Sequence, residues 1–173
     1  MMCVDKIFTF IIAIAFILGG CTSDMANKNV KILIGGGPGT DFCLFELVSE
    51  NVFEVTLCSI KTFDMQEADF IDEIIDVKRL NFLRQSDNIW SLIKNIEDNG
   101  TNEKFYFPVD DVSYVWAIID GKMYWSIYVS DFDKENYFSQ YVNKNLLSLA
   151  YKLIELSPVQ VGGEHNPLKI PNN

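Results

Sequence analysis

The cysteines and the single histidine are the residues of this chain best suited to covalent chemistry. His165 is the only histidine and lies in a glycine-containing tail, where no neighbouring residues have the spacing of a Ser-His-Asp or Cys-His nucleophile. Cys21 directly follows Gly19 and Gly20. The surroundings of His165 therefore argue against histidine-dependent catalysis.

The segment before Cys21 has the order of a secretory signal. A short start containing Lys6 is followed by an uncharged apolar run over 7–18 and then by two glycines. The apolar run is well short of the roughly 20 residues that a membrane-spanning helix needs. We therefore interpret residues 1–20 as a cleaved signal peptide. The alternatives are an ordinary secretory signal followed by a chance cysteine, and a transmembrane helix.

The four residues Leu18-Gly19-Gly20-Cys21 resemble the lipobox of bacterial lipoproteins. This resemblance covers residues 1–21 and implies that diacylglycerol is attached to Cys21 after export. Two or three acyl chains hold a protein on a bilayer durably, whereas a single chain binds only marginally. The resemblance thus implies a lipid-anchored protein of the cell envelope, exported to the periplasmic side or beyond and held on the inner or outer membrane.

Composition and charge limit what the rest of the chain does. Residues 21–29 are polar and suit a tether, and residues 30–173 are long enough for a single domain with an irregular C-terminal tail. The formal net charge of −10 repels nucleic acid and anionic headgroups. We expect the partner to be an envelope protein or a glycan, and no nucleic acid.

The pattern of apolar residues predicts an α+β fold. An antiparallel sheet of hairpins is packed by two or three helices, with hairpins at about 30–60 and 112–129 and helices at about 67–77, 87–98 and 134–156. Ser86 and Gly100 are expected to bound the second helix, and Asp131 and Asp133 to cap the third. The segment 67–77 also permits a strand, because it is rich in β-branched residues; we favour the helix.

The second hairpin has the clearest turn signal, Asp120-Gly121. With a two-residue turn, Trp116 lies opposite Trp125 on an apolar face that we assign to the core. Tyr124 and Tyr128 fall on the other, mixed face. They are the predicted contact surface.

Cys43 and Cys58 are candidates for a disulfide. If Glu50-Asn51 is the centre of the first hairpin's turn, the two cysteines lie directly opposite each other on neighbouring strands. Export would place them where disulfides persist. The alternative is a pair of small buried thiols.

The stretch Val30–Leu57 resembles the nucleotide-binding fingerprint of Rossmann proteins, with a Gly-x-Gly turn at Gly35 and Gly37. The third glycine of that fingerprint is replaced by Thr40, and Cys58 stands where its acidic residue is expected. We interpret the glycines as a loop between strands, and expect no cofactor and no metal site.

These observations lead to a lipid-anchored binding or accessory domain that is not catalytic and whose ligand is unknown. Two alternatives stay open. One is a small envelope hydrolase that uses a pair of carboxylates, for which Asp110 and Asp111 are available. The other is an inhibitor or immunity-type protein that presents acidic residues to a basic active site.

The lipobox predicts the chemistry of the mature amino terminus. Mass spectrometry of the protein purified from bacterial membranes should find diacylglyceryl mass on Cys21. Replacement of the thiol in Cys21→Ser should release the protein from the membrane, because no acyl chain can then be attached. An unmodified amino terminus, or a membrane-bound Cys21→Ser variant, would contradict the assignment.

Overall fold

A computed structural model describes residues 28–36, 41–62, 64–82, 87–100, 112–128, 141–162 and 168–169. These residues form six strands in one sheet and two helices, which confirms the α+β class. The predicted signal peptide, Cys21, His165 and the carboxylates Asp110 and Asp111 lie outside the described residues. The predictions that concern them therefore stay predictions.

The sheet is antiparallel throughout and has the order β4-β3-β2-β1-β5-β6. Helix α1 lies between β4 and β5 in the chain, and helix α2 follows β6. The elements are β1 (Val30–Gly35), β2 (Phe42–Ser49), β3 (Val52–Ile60), β4 (Ile71–Asn81), α1 (Ile89–Asn99), β5 (Tyr114–Ile119), β6 (Lys122–Ile127) and α2 (Lys144–Leu156). The two predicted hairpin regions are thus both present.

The β5–β6 hairpin follows its turn signal. Asp120 and Gly121 have positive φ angles of 49° and 79°, as a two-residue turn between strands of right-handed twist requires. Trp116 lies opposite Trp125, as predicted. Both side chains are buried, which confirms their place in the core.

Strand β4 occupies sequence for which we favoured a helix, so that prediction is wrong. Residues 64–70 form turns, and Ile71–Asn81 pairs with β3 along its whole length. Ile71, Ile74 and Ile75 fit helical spacing, but β-branched side chains also suit a pleated strand. Pairing with β3 decides between the two.

Helix α1 begins close to the predicted position, but its N-cap is Asn88 rather than Ser86, which lies outside the described residues. Gly100 ends the helix, as expected. A Cβ atom at Gly100 would lie 2.3 Å from Ile96 O and 2.7 Å from the Tyr124 ring. The glycine is therefore required for the helix end to approach the sheet this closely.

Helix α2 begins at Lys144, ten residues after the predicted start. Asn143 is its N-cap, and the side chain of Asn143 accepts a hydrogen bond from Leu146 N–H. Residues 141–143 precede the helix, and Asp131 and Asp133 lie outside the described residues. Neither α1 nor α2, the helices of the described part of the chain, has the length and apolar character needed to cross a membrane.

The central strands are buried on both faces of the sheet. On one face the end of α1 lies against Tyr124, and α2 packs Tyr151 against Tyr128. Helix α1 also reaches the sheet through the ring contacts Phe53–Phe82 and Phe82–Trp90. On the other face Trp116 packs against the rings of its neighbours Phe42 and Tyr114. Every residue of β5 is buried, so this strand contributes side chains to two apolar layers.

Truncation of Trp116 should destabilise the domain strongly. Trp116 is fully buried, and a cavity of this size costs about 3–5 kcal/mol in the free energy of unfolding. The matched control is Ile74→Ala, because Ile74 is 58% exposed and should change stability by about 0.5 kcal/mol or less. Denaturant unfolding of both variants measures the difference, and equal stabilities would refute this packing.

Candidate functional site

Tyr124 and Tyr128 do not form the predicted contact surface, because both are buried. Tyr124 lies beneath the end of α1. Tyr128 donates a hydrogen bond from its hydroxyl to Lys169 O and packs edge-on against Tyr151. Burial raises the pKa of the Tyr128 phenol. The prediction treated the mixed face of the hairpin as solvated, whereas the helices cover it.

Cys43 and Cys58 are both free thiols. The register that would place the two cysteines opposite each other holds only next to the turn, where Ser49 lies opposite Val52. A bulge at Val48 shifts the register by one residue, so Cys43 lies opposite Leu57 and Cys58 lies opposite Phe42. Since alternate residues of a strand point to opposite faces, the two thiols lie on different sides of the sheet and not within a disulfide.

Burial makes both thiols poor nucleophiles. Burial raises the pKa of Cys43 from the ordinary value of 9.0 to about 12, with Cys58 and Asp41 adding to the effect. Burial also raises the pKa of Cys58, to about 11. A thiolate is the reactive form, so neither side chain is suited to covalent catalysis at neutral pH.

A partly buried cation joins the start of the described chain to two other elements. Lys28 Nζ lies 2.5 Å from Glu97 Oε1 on α1 and 3.0 Å from Asp120 Oδ2 in the β5–β6 turn. Burial on its own would lower the pKa of Lys28, but the hydrogen bonds and charges of Glu97 and Asp120 outweigh it and raise the pKa above 10.5. The cluster holds the first described residues against the domain.

Among the strands that the structure describes, β4 is an edge of the sheet and pairs with β3 alone. Its exposed apolar side chains are Ile74 (58% exposed), Ile75 (49%) and Val77 (46%). Among the described residues the other large exposed apolar side chain is Val48, in the β2 bulge. An apolar cluster on an open edge is typical of a surface that another protein covers.

The backbone of β4 offers hydrogen-bonding groups on its open side. In an antiparallel ladder, residues that bond the neighbouring strand alternate with residues whose N–H and C=O groups point away. Phe82 N–H donates to Asn51 O at 3.0 Å, in register with β3. The backbone groups of Arg79 and Val77 therefore point to the open side. Within the single chain, Val77 N–H donates a hydrogen bond to the Asp76 carboxylate, at 2.8 Å.

Bulges and charges modify this edge. The pairing with β3 shifts by one residue at Ile75 and again at Asp72, and such bulges locally bend and twist an edge strand. Asp76 Oδ2 lies 3.2 Å from Lys78 Nζ in an exposed ion pair on the same side of the strand. Charges and bulges are devices that restrict unspecific pairing of edge strands, and β4 carries both.

Sequence reasoning missed β4 as a site because it favoured a helix there. The signal that indicates the strand is the mixture of β-branched and charged residues over 71–79, since that mixture is typical of a protected edge strand. The pattern by itself does not show that the strand has only one neighbour. Edge position depends on the order of all six strands.

The two strands that flank the glycine turn do not have the arrangement of the Rossmann nucleotide-binding fingerprint. Strands β1 and β2, which flank it, are antiparallel neighbours with only residues 36–41 between them. The Rossmann fingerprint needs a helix after the turn and a parallel crossover. The antiparallel pairing of β1 and β2 agrees with the interpretation of the glycines as a connection between strands, and Gly37 and Thr40 lie outside the described residues.

Comparisons with known proteins gave one partial similarity. A mitochondrial NAD(P)H oxidoreductase of Dictyostelium discoideum is 33% identical over 87 residues, which cover 47% of this chain and 25% of that protein. The match thus spans about a quarter of the length of this curated relative. No protein-family model matches the chain, and no solved structure matches it.

The buried thiols predict a stability loss at alkaline pH. In the unfolded chain each thiol ionises near its ordinary pKa of 9.0, whereas in the fold the values are about 12 and about 11. The two protonated thiols contribute fully to the free energy of unfolding below pH 9. This contribution should be lost as pH rises through the two folded pKa values, because only the unfolded chain releases the thiol protons between pH 9 and those values. Denaturant unfolding at several pH values measures this slope.

The matched control for this prediction is the double variant Cys43→Ala and Cys58→Ala. Its slope between about pH 9 and pH 11 should be shallower, whereas Lys28 and the tyrosines contribute equally to both proteins. Equal slopes would contradict the burial of the thiols. Alkylation of unfolded, unreduced protein should label both cysteines, and absence of label would instead indicate a disulfide.

Proposed function

We propose that this chain is a lipid-anchored protein of the bacterial cell envelope, held by diacylglycerol on Cys21, and that its domain is a non-catalytic binding module with β4 as contact surface. The lipobox resemblance of Leu18-Gly19-Gly20-Cys21 supports the anchor. The exposed apolar residues of β4 support the binding role. These β4 residues are exposed and do not belong to the core of the domain.

The observation that carries the binding role is the exposure of Ile74, Ile75 and Val77. Covering apolar surface releases about 25 cal/mol per Å², so these side chains favour a partner over water. Addition of a strand to an open sheet edge also pairs the backbone groups of that edge. Together the two contributions support recognition of an extended segment of another polypeptide.

A protein partner fits β4 better than a glycan. Aliphatic side chains and backbone groups at strand spacing are complementary to another strand. The large aromatic rings of Trp116 and Trp125, which would suit stacking on sugars, are instead buried in the core. Of the two predicted partner classes, this geometry supports an envelope protein.

The nicotinamide chemistry in the name of the Dictyostelium relative is not part of this proposal. The match covers 25% of that protein, and the glycine turn of this chain lies between antiparallel strands. A cofactor pyrophosphate binds at the amino terminus of a helix that follows such a turn. The antiparallel pairing of β1 with β2 also differs from the parallel crossover of that fingerprint.

A second candidate, an inhibitor or immunity-type protein, is favoured by the turn between β3 and β4. Asp64, Glu67 and Asp69 are exposed there, and the Asp69 side chain is 82% exposed. Such a turn would be attracted to a basic protein surface. This candidate differs from the first in using charge rather than the apolar edge.

Site-specific crosslinking in intact envelopes tests the proposed contact surface. A photoreactive amino acid at Val77 of the full chain should give crosslinked protein, because β4 is covered in the envelope. The same probe at Val48 is the control, since Val48 is 54% exposed and lies two strands away from the open edge. Products at both positions, or at neither, would contradict a contact surface on β4.

The acidic turn is tested in the same experiment. Replacement of Asp64, Glu67 and Asp69 by the corresponding amides should leave crosslinking at Val77 unchanged if β4 makes the contact. A loss of the crosslinked product would instead favour the inhibitor-type candidate. The amides keep the size of the side chains, so the comparison isolates charge.

A further inference from the structure

We propose that the polypeptide that covers β4 is β4 of a second copy of this chain. The two strands pair antiparallel about a twofold axis that passes between their Val77 residues, giving a continuous sheet of twelve strands from two six-stranded sheets. This inference rests on the proposed use of β4 as the contact surface and names the partner. It follows from the symmetry, backbone and charge pattern of the edge.

Symmetry restricts the register of such a pair. A twofold axis perpendicular to a continuous sheet places one residue opposite the same residue of the second copy, because opposite residues must point to the same face. With Asp76, Lys78 or Arg79 on the axis, two like charges would be directly opposed, which is destabilising. Val77 is the apolar residue between them and is 46% exposed.

The backbone of Val77 suits this position on the axis. Its N–H and C=O groups point to the open side, so the two Val77 residues exchange two hydrogen bonds as an ordinary antiparallel pair. In the single chain the Asp76 carboxylate accepts a hydrogen bond from Val77 N–H, at 2.8 Å. That carboxylate caps the edge until a second strand replaces it.

The charges next to Val77 are self-complementary in this register. Asp76 lies opposite Lys78 of the second copy and Lys78 lies opposite Asp76 of the second copy, in pairs of the kind with the closest side chains. The ion pair within each chain, at 3.2 Å, is thereby exchanged for two ion pairs between chains. Beside them, Val77 of each copy covers the other, and Ile75 flanks the joined strands.

Anchoring explains where such a dimer forms. Exposed ion pairs contribute little individually, and two chains with a net charge of −10 repel each other at long range. Two chains held on one bilayer meet at a much higher effective concentration than free chains. The dimer is therefore expected on the membrane, and the full chain in its membrane is the material to test.

A charge exchange between two variants tests the register. In Asp76→Lys the introduced amine would oppose Lys78 of the second copy, and in Lys78→Asp the introduced carboxylate would oppose Asp76 of the second copy. Each variant alone should lose the dimer that chemical crosslinking of membranes detects in the wild type. Co-expression of the two variants should restore a mixed dimer, because every opposed pair then joins a lysine to an aspartate.

Restoration by mixing distinguishes contacts between chains from contacts within a chain. The ion pair inside each chain stays broken in both variants, so a purely structural role of Asp76 and Lys78 would not be rescued. The mixed dimer also shows that both variants fold. Two results would overturn the inference: a dimer that persists in both single variants, or the absence of a mixed dimer when the two variants are co-expressed.

Cysteine crosslinking gives a second, geometric test. Val77→Cys should form a disulfide between two copies in the membrane, because paired Cα atoms lie about 5.5 Å apart. Arg79→Cys is the control: the same register offsets it by four residues from its own copy, about 14 Å along the strand. The wild-type chain gives the background of its native cysteines. Equal crosslinking at 77 and 79 would overturn the register.

These outcomes are separable from the failure of the proposed function. If the probe at Val77 captures a different envelope protein and no second copy, the dimer is refuted while β4 remains a contact surface. If the probe captures nothing at Val77, the proposed contact surface fails as well. A second copy captured at Val77 and not at Val48, together with rescue in the mixed variants, supports both.

Discussion

The fold depends on the antiparallel ladder between β1 and β5. It pairs Val30 with Ile119 and Gly35 with Tyr114, and it joins the meander β1–β4 to the hairpin β5–β6. The two strands are separated in the chain by three strands and a helix. Because their side chains are buried on both faces, neither part could bury its apolar residues without the other. This long-range pairing is also the step of folding with the largest loop to close.

Bulges determine what the outer strands can do. Because of the extra residue at Val48, Cys43 lies opposite Leu57 and not opposite Cys58. The two cysteines therefore do not form a cross-strand pair. The shifts at Asp72 and Ile75 divide β4 into short segments. Its longest unbroken segment runs from Asp76 to Asn81 in one register with β3. The regular part of this edge is therefore short.

The elements that could be predicted are those determined by local chemistry. Asp120-Gly121 fixes the β5–β6 turn and with it the pairing of Trp116 and Trp125. The elements that could not be predicted depend on contacts distant in sequence. Tyr124 is buried because a helix 25 residues earlier ends above it, and a period of two cannot show that a sheet is covered on both faces.

The ambiguity over β4 has the same origin. Its isoleucines fit a helix and a strand equally well in spacing, and only pairing with β3 distinguishes them. The candidate site was missed for this reason, since an edge is a property of the assembled sheet. The bulge at Val48 is likewise invisible in the sequence, because the turn at Glu50-Asn51 indicates where the chain reverses but not where one strand gains a residue.

The attachment of Lys28 beside Asp120 has a geometric consequence for an anchored dimer. Seven peptide units separate Cys21 from Lys28, so lipid on Cys21 would hold the domain within about 25 Å of the bilayer. In the proposed dimer, two tethers on one bilayer would place the twofold axis along the membrane normal, and this axis would be perpendicular to the sheet. The twelve-stranded sheet would then lie parallel to the bilayer. One face of the sheet would be turned to the headgroups, and the other face would be turned to the aqueous compartment.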